Sequence, residues 1–325
     1  MQILDAAQTS ALLPMAALID AVSQAAIELA DGRIRCPERM VVPIGQAMRS
    51  GALLSMPAVA VDISVHKLIS VMPGNAQHGL PAIQGHLTIF DGANGTPRLM
   101  LDGPTVTGRR TAAISLLALR TLHPQTPRHV LLIGAGVQAA HHLVALADIY
   151  PGLRVTVQAR SADSAARLVA SHSTSTLQLR VGVHGRDSAM HATSFDSHES
   201  DVVITCTTSR EPVYHDAAHA GRLLIAVGAF QPEAAEIGPE TVRASRIVVD
   251  DPASARHEAG DLIRAGVVWS DVQALHSLLC PVANAPVEAN TSNRPLLFKS
   301  VGCAAWDLAA ARVALCTQLA SAGCG

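Results

Sequence analysis

The feature that most constrains this chain is an apolar run, Val130-Leu131-Leu132-Ile133, leading directly into Gly134-Ala135-Gly136-Val137-Gln138-Ala139. A glycine pattern of this kind means little alone, but a strand before it and a helical stretch after it supply the required context. Gly134 permits the tight turn and Gly136 lets backbone approach a pyrophosphate, whose charge then faces the helix amino end at Val137 and Gln138. Ala139 stands where the third glycine of the pattern would be, a small residue that still allows helix and strand to pack closely. The pattern implies a dinucleotide-binding unit of the Rossmann type, and hence a nicotinamide cofactor.

Strands and helical stretches alternate beyond that loop, with apolar runs at 129–133, 154–157, 201–205, 223–227 and 246–249. Such alternation predicts a parallel, doubly wound sheet with helices on both faces. Residues upstream follow another regime. Pro14–Ala30 has helical spacing of Leu18, Ile19, Val22, Ala26 and Leu29, whereas Arg39–Leu101 breaks into short apolar runs separated by Pro-Gly-Asn, Gly-Leu-Pro and Asp-Gly. An antiparallel or mixed sheet is expected there, then a helix over about residues 108–122. Pro124 and Pro127 mark a boundary. A last strand and helix follow Leu296, and the strand fits either domain.

With 325 residues the chain exceeds what one core usually serves, about 250 residues. A hydrophobic fraction of 49% with 15% charged residues argues against extensive disorder. The net charge of -2, without basic runs, removes the electrostatic footprint of a nucleic-acid binder. Residues 129–147 lack Asp, Glu, Lys and Arg, yet two glycines and His141-His142 interrupt them, so no membrane span is expected. Met1–Asp5 shows no secretory pattern, and a cytoplasmic location is the expectation. Six scattered cysteines, Cys36, Cys206, Cys280, Cys303, Cys316 and Cys324, lack ligand spacing, so buried free thiols and no metal are expected.

The second strand ends at Ala159-Arg160-Ser161, where an NAD enzyme would usually present a carboxylate to the ribose. Arg160 and Ser161 suit a 2′-phosphate instead, favouring NADPH, with NADH as the alternative. Later strand ends, at Thr207, Thr208, Val227 and Gly228, are expected to touch the same cofactor, because ligands sit beyond the carboxyl ends of such strands.

Several further segments occur in a specific order: Met56-Pro57, Lys67, Pro73-Gly74-Asn75, Gly79-Leu80-Pro81, Arg109-Arg110-Thr111-Ala112-Ala113 and Phe298-Lys299-Ser300-Val301-Gly302. Together with the glycine loop and Val227-Gly228, they make the chain resemble the ornithine cyclodeaminase and mu-crystallin family along nearly its whole length. The resemblance implies an α/β chain in which a doubly wound Rossmann domain, 125–295, is inserted in an α+β substrate-binding and dimerisation domain, 1–124 plus 296–325. It also implies a homodimer. Arg39 and Arg110 look like the arginines that hold a substrate carboxylate, and Lys67 like the active-site lysine. Arg110, Thr111 and Ser300 are placed by the same resemblance at the cofactor.

Taken alone, Arg39 and Arg110 read as surface charges and Lys67 as a strand lysine facing solvent. Two guanidinium forks, however, suit one α-carboxylate, and burial beside two arginines would lower the Lys67 pKa. His66 is expected on the opposite strand face from Lys67, His86 as a structural hydrogen-bonding group, and Asp307 as a helix-start residue rather than an acid.

The cyclodeaminase branch resembled here carries an Asp where this chain reads Val227-Gly228-Ala229-Phe230, so cyclisation of ornithine is disfavoured. The branch that fits reduces cyclic imino acids, Δ1-pyrroline-2-carboxylate and Δ1-piperideine-2-carboxylate, to L-proline and L-pipecolate. Ornithine cyclodeamination, an alanine dehydrogenase-like activity and a non-catalytic NADPH- and ligand-binding protein remain the alternatives.

Overall fold

The computed structural model describes residues 1–45, 51–182, 199–216, 219–279 and 294–322. These fall into two compact units, one of residues 1–113 with 303–325 and one of residues 114–302. Cys280 and Cys324 lie outside the described residues.

The first unit is built on a six-stranded sheet. Its strands are β1 (Gln2–Ile3), β2 (Met40–Ile44), β3 (Gly51–Val59), β4 (Ile63–Val71), β5 (Ile83–Asp91) and β6 (Pro97–Asp102), ordered β1-β6-β5-β4-β3-β2. Only the short β1 runs parallel to its neighbour, so the sheet is mixed, as the broken apolar runs predict. Burial alternates along β4, which gives the sheet one packed face. Helices α1 (Ala6–Ala11) and α2 (Met15–Ala30) precede β2, and the C-terminal helix Ala304–Ala322 packs on α2, β3 and β4. Ala305, Ala309, Ala310 and Ala314 are fully buried on that helix, and such small side chains let backbones approach closely.

Helix α3 (Gly103–Leu122) starts about five residues earlier than its sequence pattern suggests. Asp102 Oδ1 accepts a hydrogen bond from Thr105 N at 2.8 Å, and Pro104 fits a first helical turn, so the start signal is Asp-Gly-Pro. The division between the units falls within α3, after Ala113.

In the second unit the strands are β7 (His129–Ile133), β8 (Arg154–Gln158), β9 (Gln178–Val181), β10 (Val202–Thr205), β11 (Leu223–Ala226), β12 (Arg246–Val249), β13 (Gln273–Ala274) and β14 (Leu296–Lys299). Helices α4 (Val137–Ile149) and α5 (Ala162–Ser171) follow β7 and β8. All eight strands are parallel, in the order β13-β12-β14-β11-β10-β7-β8-β9. Sequence order runs outward from β7 to β8 and β9 on one side and turns back to β10 and β11 on the other. That reversal is the switch point at which α/β sheets of this type bind ligands.

The family resemblance groups Leu296–Lys299 with the first domain, but this strand lies within the parallel sheet, paired with β11 and β12 and buried at every position. Four fully buried residues in succession satisfy a parallel strand covered on both faces, and the chain rejoins the first unit only at Cys303. The expected buried thiols are found at Cys206 and Cys303, whereas Cys36 is half-buried and Cys316 exposed. Among the described residues no helix is long and apolar enough to cross a membrane.

Arg312 ties the C-terminal helix to the rest of the first unit. Its Nη1 meets Glu28 Oε2 at 2.7 Å, and its Nε and Nη2 form a fork on Asp62 at 2.8 Å each. Burial tends to raise the Glu28 pKa, but hydrogen bonds from Gln24 and Arg312 and the charges of Arg312 and Arg33 outweigh it and lower the value. The Arg312 hydrogen bonds hold the Asp62 carboxyl below its ordinary value against partial burial. Both folded-state pKa values are depressed, so this stabilisation is present above about pH 4 and is lost as pH falls through them. Arg312→Met is expected to cost about 1–2 kcal/mol near neutrality, an amount discounted for the half-exposed Asp62, and to flatten the acid limb of stability in urea unfolding across pH.

Candidate active site

Lys67 owes its position to the alternation of β4, which turns it inward with Ile63, Val65 and Ile69. His66 faces the other way, its Nε2 2.8 Å from Ser55 Oγ. His86 stands opposite Leu68 in register and shares that outer face. At 1% exposure, an ammonium group needs an anion close by. Asp307 supplies it, with Oδ2 2.7 Å from Lys67 Nζ and the side chain fully buried.

Asp307 does sit in the first turn of the C-terminal helix, as expected of a helix-start acid. That reading stops short: the carboxylate also meets Arg110, with Nε 3.4 Å from Oδ1. The neighbouring arginine on α3 serves differently, because Arg109 Nε donates to Leu13 O at 2.8 Å and Nη1 approaches Ser10 Oγ at 3.3 Å. Thr111 Oγ1 donates to the Thr107 carbonyl within α3. Arg39, half-buried just before β2, adds its charge to the surroundings of Lys67. Burial pushes the Lys67 pKa down, Asp307 pulls it up, and Arg110 and Arg39 push it down again, to about 8. Lys67 and Arg110 thus share one buried carboxylate, and the Arg39 charge adds to them, an excess of positive charge suited to an organic acid. A lysine with that pKa exchanges its proton near neutrality.

The second unit carries the glycine loop. Gly134, at φ +133, allows an approach that a side chain would block, since a Cβ there would lie 2.6 Å from Cys206 O. Gly136 caps the amino end of α4, and no atom stands within 4 Å of where its Cβ would be. Gly136 and Val137 are exposed and Gln138 is half-buried, while Ala139 is fully buried against the sheet. This open helix amino end fits a dinucleotide pyrophosphate. At the end of β8, Arg160 is exposed and Ser161 caps α5, its Oγ accepting from Ser164 N at 3.2 Å.

The turns after β10 and β11 contain a residue that no sequence motif marks. Glu236 is fully buried; its Oε1 accepts from Thr207 N at 2.6 Å and Thr207 Oγ1 at 2.9 Å, and its Oε2 from Gly228 N at 2.6 Å. Burial raises the Glu236 pKa, while the Lys299 charge and the Thr207 and Gly228 N–H groups act to lower it. Lys299 itself pairs with Asp261 at 2.7 Å, both fully buried. Thr208 is exposed and Val227 buried beside these groups, and Phe230 is 37% exposed. Ser300, expected at the cofactor, is buried, and its hydroxyl donates to Asp250 Oδ2 at 2.6 Å.

A parallel sheet that reverses order beside a glycine turn and an open helix amino end, together with a unit that buries a lysine among arginines, defines a two-unit dinucleotide-binding protein. The chain belongs to the ornithine cyclodeaminase/mu-crystallin family, whose model matches residues 1–317. It is 52% identical over 314 residues to the Delta(1)-pyrroline-2-carboxylate/Delta(1)-piperideine-2-carboxylate reductase of Azospirillum brasilense, covering 96% of this chain and 94% of that protein. Identity to the ketimine reductase mu-crystallin of Mus musculus is 31% over 287 residues, 87% of this chain and 85% of that one. The structure of Thermococcus litoralis Delta(1)-pyrroline-2-carboxylate reductase in complex with NADH and L-proline matches with a TM-score of 0.86 at 26% identity, covering 99% and 98% of the two chains.

Removing the anion tests the buried cluster. Asp307→Asn leaves the Lys67 ammonium without its closest counter-ion, and is expected to cost about 3–5 kcal/mol at pH 6. The Lys67 pKa falls further in this variant, so the unfolded chain binds the extra proton and stability recovers in part as pH rises to 9. Urea midpoints at the two pH values read this directly.

Proposed function

We propose that the protein is an NADPH-preferring oxidoreductase that reduces the C=N bond of cyclic imino acids, Δ1-pyrroline-2-carboxylate to L-proline and Δ1-piperideine-2-carboxylate to L-pipecolate. The observation that carries this reading is Lys67, buried 2.7 Å from Asp307 with Arg110 and Arg39 at hand. In this proposal Arg39 and Arg110 hold the α-carboxylate of the substrate. Lys67, protonated below about pH 8, gives its proton to the ring nitrogen, and Asp307 holds the lysine in place. The reductases of Azospirillum brasilense and Thermococcus litoralis named above support the choice of substrate.

When bound, the reduced nicotinamide supplies the hydride that C2 receives. Gly134, Gly136, Val137 and Gln138 would hold its pyrophosphate, Ala159, Arg160 and Ser161 the adenosine 2′-phosphate, and Thr207, Thr208, Val227 and Gly228 its other end. Arg110 and Thr111 complete this assignment, and Ser300 contributes by fixing the turn at 300–302 through Asp250. Phe230 occupies the position at which cyclodeamination calls for a carboxylate, which supports net reduction.

The deciding experiment follows NADPH oxidation with each cyclic imine, with pyruvate plus amine, and with ornithine. Oxidation with the cyclic imines is expected, with kcat/KM falling above about pH 8 as Lys67 loses its proton and a loss of about a hundred-fold or more in Lys67→Met. Arg160→Ala is expected to erase the preference for NADPH over NADH. Turnover of ornithine without added reductant, and none of the imines, would refute the reading.

We also propose a homodimer formed through the sheet of the first unit. β2 is an edge strand whose Met40, Val41 and Val42 are 62%, 54% and 45% exposed, an unusual apolar edge for a chain that acts alone. Sedimentation equilibrium is expected to give twice the chain mass, and a monomer mass at micromolar concentration would exclude the dimer.

A further inference from the structure

The reversal of strand order between β7 and β10 divides the second unit into two halves. One half, β7 to β9, begins with the glycine loop and carries Arg160; the other contains β10, β11 and β14. In a sheet of this kind the two halves of a dinucleotide lie on either side of the switch point. The nicotinamide half therefore falls to the turns that follow β10 and β11.

Those turns are not independent loops. Both oxygens of Glu236 are engaged, Oε1 by the turn after β10 and Oε2 by the turn after β11, where Ala229 N at 3.3 Å joins Gly228 N. The two turns press together so closely that a Cβ on Gly228 would lie 2.2 Å from Thr207 O and 2.5 Å from Glu236 Oε1. Behind Glu236 stands a second carboxylate. Asp261 Oδ1 accepts from the backbone N–H of Glu236 at 2.5 Å and of Ile237 at 2.8 Å, and Oδ2 faces Lys299 of β14 at 2.7 Å.

We infer that Glu236 is a positioning residue for the nicotinamide half of the cofactor, clamping the ends of β10 and β11 into one surface with Asp261 and Lys299 as its support. The inference rests on the proposed cofactor reading. A carboxylate is required because each oxygen receives a backbone N–H, and an amide in its place would turn its own NH2 against one of them. The Glu236 side chain bonds Thr207, Gly228 and Ala229 and neither Arg160 nor a residue of the glycine loop, so its effect is expected chiefly at one end of the cofactor.

That confinement gives the test. Calorimetry on the full chain compares NADPH with adenosine 2′,5′-bisphosphate, a fragment that lacks the nicotinamide end. For Glu236→Gln, NADPH is expected to bind about ten- to a hundred-fold more weakly, the effect of losing a hydrogen bond to a charged group. The fragment is expected to keep its affinity. Gly228→Ala, which pushes the two turns apart from the other side, is expected to show the same split and serves if Glu236→Gln does not fold. Equal weakening of both ligands, or of neither, overturns the inference. Failure of the unaltered protein to bind either NADPH or NADH overturns instead the cofactor reading beneath it.

Discussion

A lysine buried to 1% exposure cannot stay charged without an anion beside it, and this need links the first unit across its sequence. β4 supplies Lys67, the C-terminal helix supplies Asp307, and α3 supplies Arg110. The helix is thereby fixed at its first turn by an ion pair and farther along by Arg312 on Glu28 and Asp62. Buried pairs of this type contribute less to stability than apolar packing of the same volume would. Their retention in so alanine-rich an interior accords with a chemical role for the lysine.

The second unit uses buried carboxylates to a different end. Asp250 gathers the turn at 300–302, Asp261 neutralises Lys299 and receives two backbone N–H groups, and Glu236 joins two strand ends. Backbone amides at the carboxyl ends of parallel strands have no ladder partner, and leaving them buried and unpaired would cost free energy. Acids from neighbouring segments supply that partner. They thereby tie the strand ends together where the sheet order reverses.

Much of this was legible in the sequence, for physical reasons. The inner parallel strands announce themselves because strands covered on both faces must be apolar throughout, whereas the edge strands β9 and β13, partly exposed and polar, carry no such signal. Gly134 is visible because only glycine satisfies its positive φ and the close approach of Cys206 O together, and Gly136 because it follows in the same pattern at the amino end of α4. Lys67 facing inward and His66 outward follow from strand alternation. The partners were harder to see. Asp307 has the sequence signature of a helix-start acid, and nothing local reveals that Lys67 lies against it. Glu236 belongs to no motif, since its role arises from two turns that meet only in the folded sheet. Leu296–Lys299 reads equally well as the last strand of either unit, and only its pairing with β11 and β12 decides the matter.

The return of the chain to the first unit at Cys303 bears on how the protein is made. During synthesis β4 emerges early, but the acid that neutralises Lys67 is translated only after the whole parallel sheet. Until then the packed face of the first sheet lacks both its covering helix and its counter-ion. Contacts so distant in sequence are slow to form, because closing the intervening chain costs entropy before any burial offsets it. The second unit, continuous in sequence, is free to fold before the first is complete, whereas the lysine site has its counter-ion only once the helix at 304–322 has been made and has docked.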